Sequence, residues 1–121
     1  MMKAVHMSFS EEFETRGLRG DILVAIGLPD QMALALAGSS TVVPLAVSDI
    51  TTARMIPLQH TMMACELFTA TGDALAVIAA LNAAGAIGYL TVLSPRLPDP
   101  VMVERELRAA SDRVKITLVS G

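Results

Sequence analysis

The feature of this 121-residue sequence that most limits its possible folds is a shortage of charge in the middle of the chain. Between Gln31 and Pro95 the charged side chains are few, namely Asp49, Arg54, Glu66 and Asp73. The stretch 74–95 contains none. An uncharged segment of this kind is typical of a membrane span, of a buried core element or of a surface that contacts another subunit.

A membrane-spanning helix needs about 20 consecutive apolar residues. The stretch 74–95 contains a helix stop at Gly85, so its helical part, about 73–84, is too short to span. The other uncharged run, 31–48, is interrupted by Pro44. The sequence therefore favours a chain whose uncharged surfaces are buried against other subunits, and no membrane association is predicted.

The composition narrows the class of protein further. Apolar residues make up 53% of the chain and charged residues 17%, against about 25% charged in average soluble domains, so we expect one folded domain, 1–121. A net charge of −3 with nine Lys and Arg residues argues against nucleic acid as a partner. The single cysteine, Cys65, excludes an internal disulfide and is typical of a reducing cytoplasm. No secretory signal peptide is predicted at the N-terminus.

A β-α-β unit is predicted at about 21–47. A short run of Ile, Leu and Val at 21–26 has the length of a strand. Pro29 and the acid that follows it are typical of the first turn of a helix. A second strand is predicted at 41–47, where Pro44 indicates a sheet edge or a bulge.

The part of the chain at about 48–85 has no clean hydrophobic period. We interpret it as an extended or hairpin-like connection that ends in a helix at about 73–84.

A second β-α-β unit is predicted at about 86–119. A strand at about 86–93 is followed by Asp99 as a helix N-cap, with Pro100 at the first helical position. The sequence VKITLV then predicts the last strand. Apolar residues recur at helical spacing along one face between the two strands, namely Val103, Leu107, Ala110 and Val114.

Two β-α-β units joined by a connection predict an α+β fold of the ferredoxin-like type, a sandwich with helices packed on a sheet. No G-x-G-x-x-G motif follows a strand, so a Rossmann dinucleotide site is not predicted.

No catalytic, metal-binding or cofactor-binding residue emerges from the titratable side chains. The two histidines, His6 and His60, have no metal-ligand spacing. Cys65 with His60 and Glu66 suggests a thiol site, because a neighbouring imidazolium lowers the pKa of a thiol. A third orienting group and an oxyanion turn are missing, so a structural cysteine is favoured. We expect no enzyme, and loss of a measured activity in Cys65→Ser would support the opposite hypothesis.

The second unit resembles the opening of the bacterial microcompartment (BMC) shell domain. The strand AIGYLTVL (86–93) is followed by ELRAASDRVKITLVSG (106–121). Within it, the residues at 108–111, Arg-Ala-Ala-Ser, stand where that family has Lys-Ala-Ala-Asn.

The first unit, 21–47, resembles the other half of the same domain. The swapped order implies a circular permutation, as in the permuted ethanolamine- and propanediol-utilization shell proteins. The segment 53–77 resembles their N-terminal extension, which forms a small β-barrel over the hexamer axis. In a rival threading in the usual order, 72–86 matches the family's helix and 98–121 is unexplained.

This resemblance implies a structural shell subunit that forms cyclic hexamers, which tile into a cytoplasmic shell with pores for small metabolites. The implied partners are further copies of the chain, other shell proteins and encapsulated enzymes. Arg108 is then expected at the hexamer edge. The segment 54–65, with Arg54, His60 and Cys65, becomes the candidate axial or pore region.

An alternative hypothesis is a small-molecule-sensing regulatory module. The sequence DALAVIAALNAAGAIG (73–88) resembles the first helix and turn of ACT domains. That resemblance implies a ligand bound at a dimer interface.

Overall fold

The computed structural model describes residues 19–69 and 72–120. The strands are β1 (Arg19–Ile26), β2 (Thr41–Leu45), β3 (Thr61–Glu66), β4 (Phe68–Thr69), β5 (Gly72–Asp73), β6 (Gly88–Ser94) and β7 (Val114–Ser120). The α-helices are α1 (Asp30–Ala37), the single turn α2 (Thr52–Met55), α3 (Ala74–Ala84) and α4 (Pro100–Ala110). Two 3-10 turns, Val47–Asp49 and Ile56–Leu58, flank α2.

Five strands form one sheet in the order β2-β1-β3-β6-β7, and every pair in it is parallel. β4 and β5 form a separate antiparallel hairpin between β3 and α3. If the main strands are counted by their position in the chain, the order is 2-1-3-4-5. This is a doubly wound order of the flavodoxin-like type.

The helices cover the two faces of the sheet unequally. The larger core, under α3 and α4, contains Val24, Met63 and Leu90 from three neighbouring strands. The smaller core, under α1, contains Leu23 and Met62 from the opposite face of the same strands. Side chains alternate between faces along a strand, and a parallel sheet is buried on both of them.

The expectation of strands and helices with the helices packed on a sheet is confirmed, but the ferredoxin-like arrangement is wrong. That arrangement is a split β-α-β, with another strand between the two strands of each unit. Here β1 is hydrogen-bonded directly to β2, and β6 directly to β7. The two units meet through β3, so the sheet is a continuous parallel one.

The part predicted as an extended or hairpin-like connection, about 48–85, contains the β4–β5 hairpin but is more than a connection. It contains β3, the central strand of the sheet. Residues Thr61 to Cys65 are all buried, and the strand therefore shows no alternation of apolar and polar positions. A strand covered on both faces has the same apolar pattern as a short buried helix, so the period could not identify it.

The predicted signals at Gly85, Asp99 and Pro100 are confirmed, and the structure adds a cap at Asp73 that was not predicted. The Asp73 carboxylate accepts a hydrogen bond from the Ala76 N–H at 3.0 Å and caps α3. Gly85 ends that helix in the left-handed conformation, with φ 72°. Asp99 caps α4, with Pro100 as its first residue. Within residues 19–69 and 72–120, no helix combines the length and apolar character needed to cross a membrane.

Candidate functional site

The carboxyl ends of the five parallel strands meet at one edge of the sheet, which we call the carboxyl edge. The chain leaves β1 toward α1 on one face, and it leaves β3 toward α3 on the other. In doubly wound folds the crevice between two such diverging connections is the usual position of a ligand. We therefore expect a ligand-binding site at the carboxyl edge, between β1, β3 and β6.

A cleft of about 460 Å³ lies at this edge. We call it the carboxyl-edge cleft. Its walls come from α1, from the end of β3 with the start of the hairpin, and from the end of β6. The lining residues are Met32, Glu66, Phe68, Leu93, Ser94 and Pro95. Clefts of roughly 300–1,000 Å³ hold most small-molecule ligands of proteins.

Hydrogen bonds hold the β6 wall of the cleft in place. The Ser94 and Ser120 hydroxyls both donate to the Pro95 carbonyl, at 2.9 and 3.2 Å. The Ser120 hydroxyl also accepts from the Leu97 N–H at 3.3 Å. The end of β7 therefore fixes the loop that follows β6.

The β3 wall is fixed in a similar way. The Leu67 N–H donates to the Leu93 carbonyl at 2.8 Å, and the Ala74 N–H donates to the Leu67 carbonyl at 2.9 Å. These bonds join the ends of β3 and β6 and attach the start of α3 to them. Both walls consequently rest on the sheet.

Glu66 is the one charged side chain among the lining residues that the structure describes. Its side chain is half-buried. Its carboxylate makes neither an ion pair nor a hydrogen bond with any side chain or backbone group in the part of the chain that the structure describes. A partly desolvated carboxylate without a partner leaves hydrogen-bonding capacity for a ligand.

The thiol site suggested by Cys65 and His60 is not formed. Cys65 has no exposed surface, and burial, with a smaller contribution from the nearby Glu66 charge, raises the pKa of its thiol to about 12. His60 lies at the opposite end of β3, in a turn where its backbone has φ 63° and its N–H donates to the Ile87 carbonyl. The thiol thus has neither the depressed pKa nor the adjacent base that a nucleophile needs.

The three residues predicted for an axial or pore region do not share a surface within the chain. Arg54 and His60 are exposed, on α2 and before β3, whereas Cys65 is enclosed in the core. Any position of Arg54 or His60 near an oligomer axis stays a prediction.

Arg108, the residue predicted for a hexamer edge, is engaged within its own chain. Its Nε–H donates to the Ile116 carbonyl at 3.1 Å, and its guanidinium lies 3.6 Å from the Glu104 carboxylate. The other carboxylate oxygen of Glu104 accepts from the Leu118 N–H at 2.8 Å. The two side chains on α4 therefore bind the outer backbone of β7.

A second cleft of about 230 Å³ lies between the hairpin, the start of α3 and α4. It is mostly apolar, and Phe68 lies between it and the carboxyl-edge cleft. Across the described residues, no three His, Cys, Asp or Glu side chains gather closely enough to hold a metal ion.

The lining residues of the carboxyl-edge cleft were not predicted as a site. Glu66 was considered only as a neighbour of Cys65. The signal that could have found it is its position at the end of an apolar run, because strand ends of a parallel sheet share one edge. That signal has meaning only once 61–66 is known to be a parallel strand.

Comparisons with known proteins identify no relative. No family model matches the chain, and no curated protein or solved structure matches it.

Proposed function

We propose that this chain is a regulatory module that binds a small ligand in the carboxyl-edge cleft and does not transform it. The observation that carries the proposal is the position of this cleft, where the connections after β1 and β3 diverge to opposite faces. Doubly wound folds host many unrelated functions, so the proposal rests on the cleft rather than on the fold.

The side chains around the cleft support binding rather than catalysis. Glu66 and Ser94 are its polar lining side chains. The candidate nucleophile, Cys65, is enclosed in the core with a raised pKa. A carboxylate and a hydroxyl can orient a ligand by hydrogen bonds, but the described residues supply no paired base and nucleophile beside them.

This proposal agrees with the small-molecule-sensing alternative in its class of function. It differs in the position of the ligand. An ACT-type module would hold the ligand between two copies, whereas the carboxyl-edge cleft is built by α1, β3 and β6 of a single chain.

The test is an amide NMR titration of the whole chain with small amines, alcohols, carboxylates and nucleosides. We expect saturable shifts that cluster on Met32, Leu93 and Ser94 for at least one of these classes. Ser94→Phe should abolish them because the larger side chain fills the cleft. Ser39→Phe, at an exposed site beyond α1, is the matched control and should leave them unchanged. Shifts confined to other surfaces would refute the proposal.

A structural shell subunit is a second proposal. It is supported by large apolar side chains that are exposed in the single chain: Leu34, Ile56, Phe68, Leu75, Val101, Met102 and Val119. Surfaces of this kind favour contacts between copies. The continuous parallel sheet gives no support to a permuted shell domain, so this proposal rests on the surface alone.

Native mass spectrometry and light scattering test the shell proposal. A hexamer that forms sheets or tubes at high concentration is the expected result. A chain that stays monomeric at high protein concentration would end this proposal and would leave the ligand-binding proposal intact.

A further inference from the structure

We infer that the carboxyl-edge cleft selects an organic cation, a primary ammonium group carried on an apolar body. This inference rests on the proposed ligand-binding function and specifies the chemical class of the ligand.

The polar side chains among the described lining residues are hydrogen-bond acceptors. The ionised carboxylate of Glu66 can only accept. The Ser94 hydroxyl has already donated its hydrogen to the Pro95 carbonyl at 2.9 Å, so its remaining capacity is in its lone pairs. A ligand that satisfies both groups must therefore bring donors, and an ammonium group brings three.

The charge of Glu66 points to the same class of ligand. A ligand that enters the cleft removes water from a carboxylate that is already half-buried and has no partner among the described residues. Desolvation of a charge is costly unless an opposite charge replaces the water. A cation meets this requirement, whereas a neutral or anionic ligand does not.

The surroundings of the cleft strengthen the negative potential. The loops and first helical residues after β1, β3 and β6 carry Asp30, Asp73 and Asp99, with Arg96 as their single base. Asp73 and Asp99 accept backbone N–H groups as helix caps. The balance of charged side chains in these loops favours a cation over a carboxylate or a phosphate.

The other lining residues define the body of the ligand. Met32, Leu93 and Pro95 present apolar surface, and Phe68 is 64% exposed beside them. An aromatic ring near an ammonium group adds a cation–π attraction. The described residues offer no group of three metal-binding side chains, so an organic cation fits better than a divalent metal ion.

The experiment compares three probes of equal chain length: hexylammonium, 1-hexanol and hexanoate. Each is titrated into the whole chain at low salt, and the amide resonances of Met32, Leu93 and Ser94 are followed by NMR. We expect hexylammonium to bind at least about tenfold more tightly than the other two, because hydrogen bonds to charged groups are the stronger ones. Added salt should weaken only the ammonium probe.

Two variants test whether the charge of Glu66 selects the ammonium probe. Glu66→Gln keeps the shape of the side chain but removes its charge, and it should weaken hexylammonium about tenfold while hexanol is unaffected. The matched control is Asp112→Asn, which removes an exposed carboxylate before β7 at the other edge of the sheet and should change nothing. The amide spectrum of each variant verifies that its fold is intact.

Several results would overturn the inference. Hexanoate or hexanol binding at the cleft as tightly as hexylammonium would remove charge selection but preserve ligand binding. An unchanged affinity of Glu66→Gln for hexylammonium would also remove charge selection and preserve ligand binding. Larger shifts of the same resonances with calcium or magnesium chloride would replace the organic cation by a metal ion. Absence of cleft shifts with all three probes would contradict the inference, and the proposed function would fail with it only when the wider set with nucleosides also gives no cleft shifts.

Discussion

The two outer strands of the sheet, β2 and β7, come from β-α-β units with similar sequence patterns, but their edges are protected differently. The outer backbone of β7 is bound by side chains of α4: Arg108 donates to the Ile116 carbonyl, and Glu104 accepts from the Leu118 N–H. Unpaired strand edges are sites of unwanted association, and this arrangement occupies one of them.

The edge of β2 has a simpler protection. The Leu45 carbonyl accepts from the Gly27 N–H and so points toward β1. Polar groups of successive residues point to opposite sides of a strand, which places the nitrogen of Pro44 on the outer side. Proline has no N–H to offer there, and the strand is only five residues long.

This difference between the β7 edge and the β2 edge shows that a charged helix face can protect a sheet edge. The charges of α4 are typical of a solvated surface, and the sequence resemblance placed Arg108 at a contact with another hexamer. In the structure Arg108 and Glu104 bind the outer edge of their own sheet, and a contact of Arg108 with another hexamer stays a prediction. The helix of the first unit, α1, has Asp30 as its single charged residue and contributes apolar side chains instead.

The largest expected effect on stability appears when one leucine of α4 and one leucine of α1 are truncated and compared. Leu107 is the buried residue of α4 and packs into the larger core. Leu107→Ala should therefore lower the free energy of unfolding by about 3 kcal/mol. Leu34→Ala on α1, at a side chain that is 66% exposed, should change it by less than about 0.5 kcal/mol. Urea denaturation measures both, and equal losses would contradict the comparison.

The next largest loss of stability is expected when a glycine of each β-α-β unit is replaced by alanine. A Cβ atom on Gly88, at the start of β6, would lie 2.7 Å from the Thr61 carbonyl oxygen. Gly88→Ala should therefore cost about 2 kcal/mol through forced backbone movement. Gly27, after β1, has open space around its Cα but φ 65°, so Gly27→Ala should cost about 1 kcal/mol. A larger loss for Gly27→Ala in thermal denaturation would refute this ranking.

The sealing of β7 is tested by Glu104→Ala. The Leu118 N–H loses its acceptor, and we expect a loss of about 1 kcal/mol in stability together with increased self-association. Glu106→Ala is the control on the same helix, because this exposed residue has no hydrogen bond or ion pair with a described residue. Urea denaturation measures the stability of each variant, and size-exclusion chromatography measures its self-association. Identical behaviour of both variants would show that Glu104 does not protect the edge.

The smallest expected effect is at the other edge. Pro44→Ala gives the outer side of β2 an N–H group but leaves the pairing with β1 unchanged. We expect stability to change by less than about 0.5 kcal/mol and self-association to rise slightly. A loss of stability as large as that of Glu104→Ala would mean that Pro44 supports the strand itself rather than its edge.

Part of the fold could be predicted because its signals are local. The cap at Asp99 and the stop at Gly85 depend on a few neighbouring backbone groups, which the sequence specifies directly. For Pro44 the sequence indicated an edge or a bulge, and the strand order puts it on an edge strand. The first β-α-β unit was predicted for the same reason. The prediction of helix anchoring was less complete: on the predicted apolar face, Leu107 is buried but Ala110 is exposed.

The order of the strands could not be obtained in this way. The central strand, β3, consists of residues that are buried on both faces, and its pattern therefore carries no period. Its pairing with β1 on one side and β6 on the other joins residues far apart in the chain. The resemblance to shell domains rests on the repeated β-α-β pattern, which is compatible with several sheet orders.

The sequence by itself determined where most helices begin and end and how little charge the middle of the chain carries. Only the tertiary structure decided that the charge-poor middle supplies the centre of a parallel sheet. It also decided that Glu66 and Ser94 lie in one cleft, 28 positions apart in the chain. Local signals act through neighbouring backbone groups, whereas a site at the ends of parallel strands exists only after distant strands have paired in register.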